Sequence, residues 1–232
     1  MIISHKHKFI FLETKKTAST SVSIFLSQYC GKDDVITPDD YEAEEMKKEL
    51  GQFSRNYQLP FPEYKLKDLK VMIRNFSTKN IRKKYYNHMS AKELRDIIPK
   101  RIWNSYFIFC FERNPYEKAV SAYNYHMDIN NLNSKGYSFR EFLLNHNFYK
   151  NYHRYSINGT IAVNVFQYNK LNEEIQRILN MLGIQNESKI PYAKSKKKKR
   201  KSYVDYYDAV TKKLVFDNCI DEFNEFSYQF EE

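Results

Sequence analysis

The sequence predicts an α/β fold in which one domain carries a mostly parallel sheet covered by helices on both faces. Three observations lead there. Apolar runs such as Phe9-Ile10-Phe11-Leu12 and Phe107-Ile108-Phe109-Cys110-Phe111 are continuous rather than alternating, as in strands buried on both faces. Patterns with helical spacing of apolar residues separate these runs. The chain has 232 residues, 16% of them aromatic, which suffices for one real core and does not call for a second unit. No internal repeat divides it.

The first strand falls at residues 8–12 and is followed by Glu13-Thr14-Lys15-Lys16-Thr17-Ala18-Ser19-Thr20-Ser21. A helix starts at Thr20, because Val22, Phe25, Leu26 and Tyr29 recur at i, i+3, i+4 and i+7, with Gly31 as a stop. Residues 34–37 and 70–74 are weaker strands, and the polar, proline-bounded stretch 39–62 reads as a helix plus a surface loop. A further helix starts at Ser90, whose spacing to Glu93 makes a Ser-x-x-Glu capping box. The strand at 106–111 leads to a helix from Pro115, with Asn114 suited to the N-cap and Glu117 three residues after it. Residues 161–168 form another strand. The helix near Glu173 carries the stripe Ile175, Ile178, Leu179, Leu182 and ends at Gly183, and a closing helix starts at Asp208.

The two strand–turn–helix junctions carry the chemistry. At the first, the unpaired N–H groups of a helix start, its dipole, Lys16 and the hydroxyls of Thr17, Thr20 and Ser21 converge on one place. That is an anion cradle, sized for a phosphate or a phosphosulfate, and capping is the structural alternative for at least one hydroxyl. The nucleoside-triphosphate loop pattern is not met, since alignment on Lys16-Thr17 puts Ile10 and Lys15 where it requires glycines. At the second junction, Arg113 stands just outside a well-specified helix start, where a guanidinium and free amides can grip another phosphate.

Together these junctions resemble the two nucleotide-binding elements of sulfotransferases that use 3′-phosphoadenosine-5′-phosphosulfate (PAPS), and the carbohydrate O-sulfotransferases most. The family's first loop, roughly Pro-Lys-Thr-x-Gly-Thr-Ser, appears as Lys15-Lys16-Thr17-Ala18-Ser19-Thr20-Ser21, and its Arg-Asn-Pro with a later Ser appears as Arg113-Asn114-Pro115 and Ser121. Residues 87–95, containing His88, Ala91, Glu93 and Leu94, resemble its His-x-x-Ala-x-Glu-Leu segment, and residues 206–230 resemble its closing helix and tail. Ser19 and Lys15 depart from the loop's glycine and proline, and Asn169 stands where Glu is common. The resemblance implies a P-loop-like sheet, PAPS as cofactor with no metal, the 5′-phosphosulfate on residues 15–21, and the 3′-phosphate on Arg113 and Ser121. It also implies that the basic run 194–201, with Lys199, Arg200 and Lys201, closes over the nucleotide.

The formal net charge of +10 calls for an anionic partner, and much of it lies in that run. A solvated loop and a nucleic-acid or targeting segment are the other uses of such a run. Two function classes therefore stand beside the sulfotransferase: a basic nucleic-acid-binding or interaction protein, and a nucleotide-dependent kinase, which lacks its glycine loop. The resemblance favours the enzyme, with a hydroxyl acceptor such as a glycan and no nucleic-acid partner. Cys30, Cys110 and Cys219 show no metal or redox spacing and read as reduced thiols. His5 and His7, on one strand face, lack further metal ligands nearby. No apolar run approaches a membrane span and residues 1–8 show no secretory pattern, so a cytoplasmic setting is expected.

Sulfuryl transfer to a hydroxyl needs in-line oxygens, charge stabilisation on the leaving phosphate and a base for the acceptor proton. Lys16 and the amides after it serve the second need. His88 is the candidate base, because it precedes a helix start whose dipole disfavours imidazolium. Glu13 and Glu112 are the alternatives, since each ends a strand beside a phosphate loop.

Overall fold

Strands β1 (Ile2–Ser4), β2 (Phe9–Phe11), β3 (Val35–Ile36), β4 (Phe107–Glu112) and β7 (Asn164–Gln167) form the central sheet, in the order β3-β1-β2-β4-β7. Short strands β5 (Ser156–Ile157) and β6 (Thr160–Ile161) pair separately. The structure is a computed structural model and describes residues 1–64, 82–129, 136–145, 150–185, 190–191 and 201–230. The expected strand at 70–74 lies outside these residues.

The sheet is mixed, which corrects the expectation of a mostly parallel, P-loop-like sheet. Strand β1 runs antiparallel to both β2 and β3, whereas β2 with β4 and β4 with β7 are parallel. The cause lies in residues 1–8, where β1 precedes the strand expected at 8–12. Ile2 and Ile3 are buried, and a four-residue turn joins β1 to β2, a connection that permits only antiparallel pairing. Lys8 ends that turn at φ 54°. His5 and His7 therefore lie in or at the edge of a hairpin turn instead of on a strand face, and the His5 ring meets the Tyr106 hydroxyl at 2.8 Å.

Helices do cover both faces, because alternate residues of the continuous apolar strands point to opposite sides. Phe9, Phe11, Phe109 and Phe111 pack with Val22, Phe25 and Leu26 of α1 (Ser19–Ser27) and with Ile175, Ile178 and Leu179 of α8 (Leu171–Met181). Ile10, Leu12, Ile108 and Cys110 pack with Ala91 and Leu94 of α3 (Ala91–Ile97), near α4 (Lys100–Ser105). A third cluster joins α5 (Pro115–Ile129), α6 (Phe139–Asn145), α9 (Ala209–Asn218) and α10 (Ile220–Phe226). α7 (Tyr152–Tyr155) is a single turn before β5.

The expected helix starts at Thr20, Ser90, Pro115, Glu173 and Asp208 lie within two residues of the observed ones. Capping chemistry explains two of them: Ser90 with Glu93, and Asp208 with Thr211, form reciprocal capping boxes. Within 39–62, α2 (Tyr41–Glu49) is capped by Asp40, and its Lys47 is fully buried against the Thr37 carbonyl. The strand expected at 161–168 divides between β6 and β7. All three cysteines are buried thiols, and burial pushes Cys30 and Cys219 up to about 12. Among the described residues no helix is long and apolar enough to cross a membrane.

Candidate functional site

Because β2, β4 and β7 are parallel, the segments that leave their C-terminal ends emerge at one edge of the sheet: residues 12–18, Arg113 and Tyr168. Ligands of α/β sheets bind at that edge. The first segment turns sharply, with Lys16 at φ 62° and Ala18 at φ 55°, both in the left-handed region that costs a side-chain-bearing residue strain. Ala18 is the N-cap of α1 and no side chain caps the helix, contrary to the expected capping by a neighbouring hydroxyl. An uncapped helix start of this kind suits an anion.

Within the turn, the Thr17 hydroxyl donates to the Thr14 carbonyl at 3.1 Å and lies 2.8 Å from the Thr14 hydroxyl, which donates to the Phe111 carbonyl. Thr17 thus fastens the turn and ties it to β4. Ser19 and Ser21 are buried at the helix start, and Thr20 bonds Asp39 at 3.5 Å. The Lys16 ammonium lies 3.9 Å from the centre of the Tyr125 ring, a cation–π contact. Tyr125 stands one turn past Ser121 on α5, so the two elements that the sequence singles out face each other.

His88 lies beside the start of this loop. Its Nδ1 donates to the Glu13 main-chain oxygen at 2.9 Å, which leaves Nε2 as the basic nitrogen of the neutral ring. The residue holds φ 60°, so its backbone is strained as well. Burial lowers the His88 pKa below its ordinary 6.5, and Arg154 adds to this while Glu13 opposes it. The Glu13 carboxylate is buried and paired with the Met1 amino group. Burial alone would raise its pKa, but that ammonium, His88 and Lys47 together hold it below the usual range.

Glu112 anchors a buried network under the loop. Its Oε1 accepts from the Lys118 ammonium at 2.9 Å, the Arg113 N–H at 2.8 Å and the Asn151 amide at 3.2 Å. Lys118 also reaches Glu222 of α10 at 3.4 Å, and the Asn151 N–H donates to Glu222 at 2.9 Å. Asn151 then fixes the loop itself, accepting from Lys15 N–H at 2.9 Å and donating to Lys15 O at 3.0 Å. All four side chains are buried. Burial works against the Lys118 charge, yet Glu112 and Glu222 raise its pKa above the ordinary value. Glu112 is thereby occupied as a structural acceptor.

Arg113, half-buried, pairs with Glu117 through Nε at 3.0 Å and Nη2 at 2.9 Å, and its guanidinium lies 4.4 Å from the centre of the Tyr168 ring. Asn114 caps α5 by accepting from the Tyr116 N–H at 3.0 Å, so the expected capping role of Glu117 is replaced by this ion pair. Arg113, Glu117 and Tyr168 line a cavity of about 370 Å³ with Ser227, Tyr228 and Gln229 of the C-terminal segment. Ser121, half-buried, follows Glu117 by one turn on the same helix.

Lys199 and Arg200 lie outside the described residues; Lys201 is exposed. Sequence reasoning does not find Lys118, Asn151, Arg154 or Glu222. Apart from the Lys118–Glu112 pair, six residues apart, their partners in this network are 39 to 136 residues away along the chain, beyond any local spacing rule.

The sulfotransferase family model matches residues 1–229. An uncharacterized protein of Archaeoglobus fulgidus is 33% identical over 106 residues, which are 43% of this chain and 86% of that protein. The crystal structure of a sulfotransferase from Alicyclobacillus acidocaldarius is similar over 96% of both chains, at 16% identity and a TM-score of 0.44.

Proposed function

Since the chain belongs to the sulfotransferase family, we propose that it moves the sulfuryl group of PAPS to a hydroxyl acceptor held beside His88. The observation that carries the reading is the pairing of an uncapped helix start after β2 with a neutral histidine whose Nε2 is kept basic by the Glu13 carbonyl. In this reading residues 15–21 hold the 5′-phosphosulfate, and Arg113 and Ser121 hold the 3′-phosphate. His88 Nε2 takes the acceptor proton as the acceptor oxygen bonds to sulfur. The bond from sulfur to the bridging oxygen breaks, and its electron pair leaves on the nucleotide phosphate. Lys16 and the helix amides stabilise the charge that develops there, a preorganised electrostatic contribution. A carbohydrate is the proposed acceptor class, and Lys199, Arg200 and Lys201 are the proposed basic clamp.

Calorimetric titration with 3′-phosphoadenosine-5′-phosphate (PAP) tests the site, with ATP and Mg²⁺ as the comparison. Expected is a PAP dissociation constant of about 1 μM or tighter, near −8 kcal/mol, and much weaker ATP binding. Absence of PAP binding would remove the reading. Transfer of labelled sulfate from PAPS to a panel of neutral and acidic oligosaccharides then tests the acceptor class.

The Arg113–Glu117 pair yields a further expectation on the same titration. A 3′-phosphate must compete with the Glu117 carboxylate for the guanidinium. Glu117→Gln is expected to tighten PAP binding by about two- to fivefold, the scale of one partly exposed ion pair. Arg113→Ala is expected to weaken it by about tenfold or more, as for a lost charge-assisted bond. Unchanged affinity in both variants would place the 3′-phosphate elsewhere.

A further inference from the structure

Residues 151–154 join the two halves of the site. On one side the Asn151 side chain clasps the Lys15 backbone, accepting from its N–H at 2.9 Å and donating to its oxygen at 3.0 Å. On the other, Arg154 Nη1 donates to the His88 main-chain oxygen. The Arg154 N–H bonds the Asn151 carbonyl at 2.6 Å, so both side chains leave a single turn. The His88 ring meets the loop again through Nδ1, 2.9 Å from the Glu13 oxygen and two residues before Lys15. These bonds close a circuit, from Glu13 to His88, to Arg154, to Asn151, to Lys15, and along the chain back to Glu13.

The circuit is anchored on both sides. Asn151 is fully buried, and its N–H donates to Glu222 at 2.9 Å. Tyr155 and Met89, the residues that follow Arg154 and His88, are buried in one cluster, and α7 packs on α3, the helix that starts just after His88. His88 needs such support because it holds φ 60°, a left-handed conformation that a histidine leaves when nothing holds it. The orientation of its ring decides its chemistry. A carbonyl oxygen can only accept, so the Glu13 oxygen fixes the proton on Nδ1 and leaves Nε2 basic only while the ring faces it. A guanidinium suits the task of holding the His88 carbonyl, since it is planar, always charged and a donor only.

We infer that residues 151–154 form a positioning clamp across the site: Asn151 sets the backbone of the loop proposed to hold the phosphosulfate, and Arg154 sets the main chain of His88, so that the loop and His88 Nε2 keep one relative placement. Both are positioning residues, which act through the groups they hold. The role of His88 as base rests on the proposed function, whereas the clamp itself is measurable without turnover. The test reads the His88 tautomer in protein labelled with ¹⁵N-histidine, from long-range ¹H–¹⁵N spectra at about pH 8, where the ring is neutral. The His88 signals are assigned by their loss in His88→Asn. Wild type is compared with Arg154→Met, which keeps a long side chain and removes its donors.

Expected is one tautomer in wild type, with the proton on Nδ1, and a mixture of both tautomers in Arg154→Met. A proton on Nε2 in wild type, or an unchanged single tautomer in Arg154→Met, would overturn the clamp. If Arg154→Met fails to fold, wild type decides: the Arg154 Nη protons, assigned through their own side chain, should give separate, slowly averaging signals, and a freely rotating guanidinium would overturn the clamp equally. In turnover, kcat of Arg154→Met should fall about ten- to a hundredfold while PAP affinity stays within about twofold, because a displaced base costs rate and leaves the cofactor cradle in place. A shifted tautomer with full kcat would strike the role of His88 as base and leave the clamp standing. Failure of wild type to bind PAP, with the tautomers as expected, would strike the cofactor reading alone.

Discussion

His88→Ala is expected to lower sulfuryl transfer by about 10²–10⁴-fold, the usual contribution of a general base, while PAP affinity stays within about twofold of wild type. The separation follows from geometry: His88 is hydrogen-bonded to the Glu13 carbonyl at the start of the loop, and the anion cradle is made by residues after it. His88→Asn is the control for the backbone, because asparagine tolerates the left-handed conformation that His88 holds at φ 60°. Asparagine should fold as well as wild type and be as slow as alanine. The pH profile adds an independent readout. Burial lowers the His88 pKa from 6.5, so the ring is neutral and basic further into the acid range. The acid limb of kcat/KM should therefore lie below pH 6.5 in wild type and vanish in both variants. Full turnover in His88→Asn would move the proton transfer to Glu13, whose carboxylate lies buried beside the same loop.

Lys118→Met should destabilise the fold by about 3–5 kcal/mol, the cost of removing one partner from a buried ion pair. The ammonium lies between Glu112 and Glu222, and all three groups are almost wholly excluded from solvent. Without it, two buried carboxylates remain with Asn151 and main-chain N–H groups as donors. Chemical denaturation should show a lower midpoint at unchanged slope. The triple change Glu112→Gln, Lys118→Met, Glu222→Gln should recover much of the loss, because no uncompensated charge is left. A loss below about 1 kcal/mol in the single variant would show the triad to be weakly coupled. Since the Lys118 pKa is raised in the fold, its contribution is complete at neutral pH and is lost only as pH rises through that raised value. PAP binding should weaken too, because the same network holds Lys15 through Asn151.

Local chemistry made much of this legible. Ser90 with Glu93, Asp208 and the Asn114-Pro115 pair announce helix starts within a few residues, and the Phe- and Ile-rich runs announce the parallel strands. The antiparallel half of the sheet was hidden by brevity. Strand β1 has three residues, too few for a period to show, whereas β3 lies within the strand expected at 34–37 but carries no mark of its antiparallel partner. In the site, Lys16, Arg113 and His88 are visible because each abuts a helix start. Asn151 and Glu222 are not, because a polar residue that acts by clasping a backbone or an ammonium far along the chain leaves no periodic trace. The Glu117 contact illustrates the opposite case. Its spacing to Asn114 fits a cap, yet the guanidinium beside it offers a stronger partner than a main-chain N–H.

The mixed sheet also dictates an order of assembly during synthesis. The β1–β2 hairpin and β3 draw only on the first 36 residues, so these contacts have low sequence separation and can close early. The other edge of β2 pairs with Phe107–Phe109, which emerge from the ribosome far later. Until then a Phe-Ile-Phe strand presents an unpaired apolar edge, the feature that drives misassembly of nascent chains. The interval between residues 11 and 107 is therefore the stretch of translation over which this edge stays without its parallel partner.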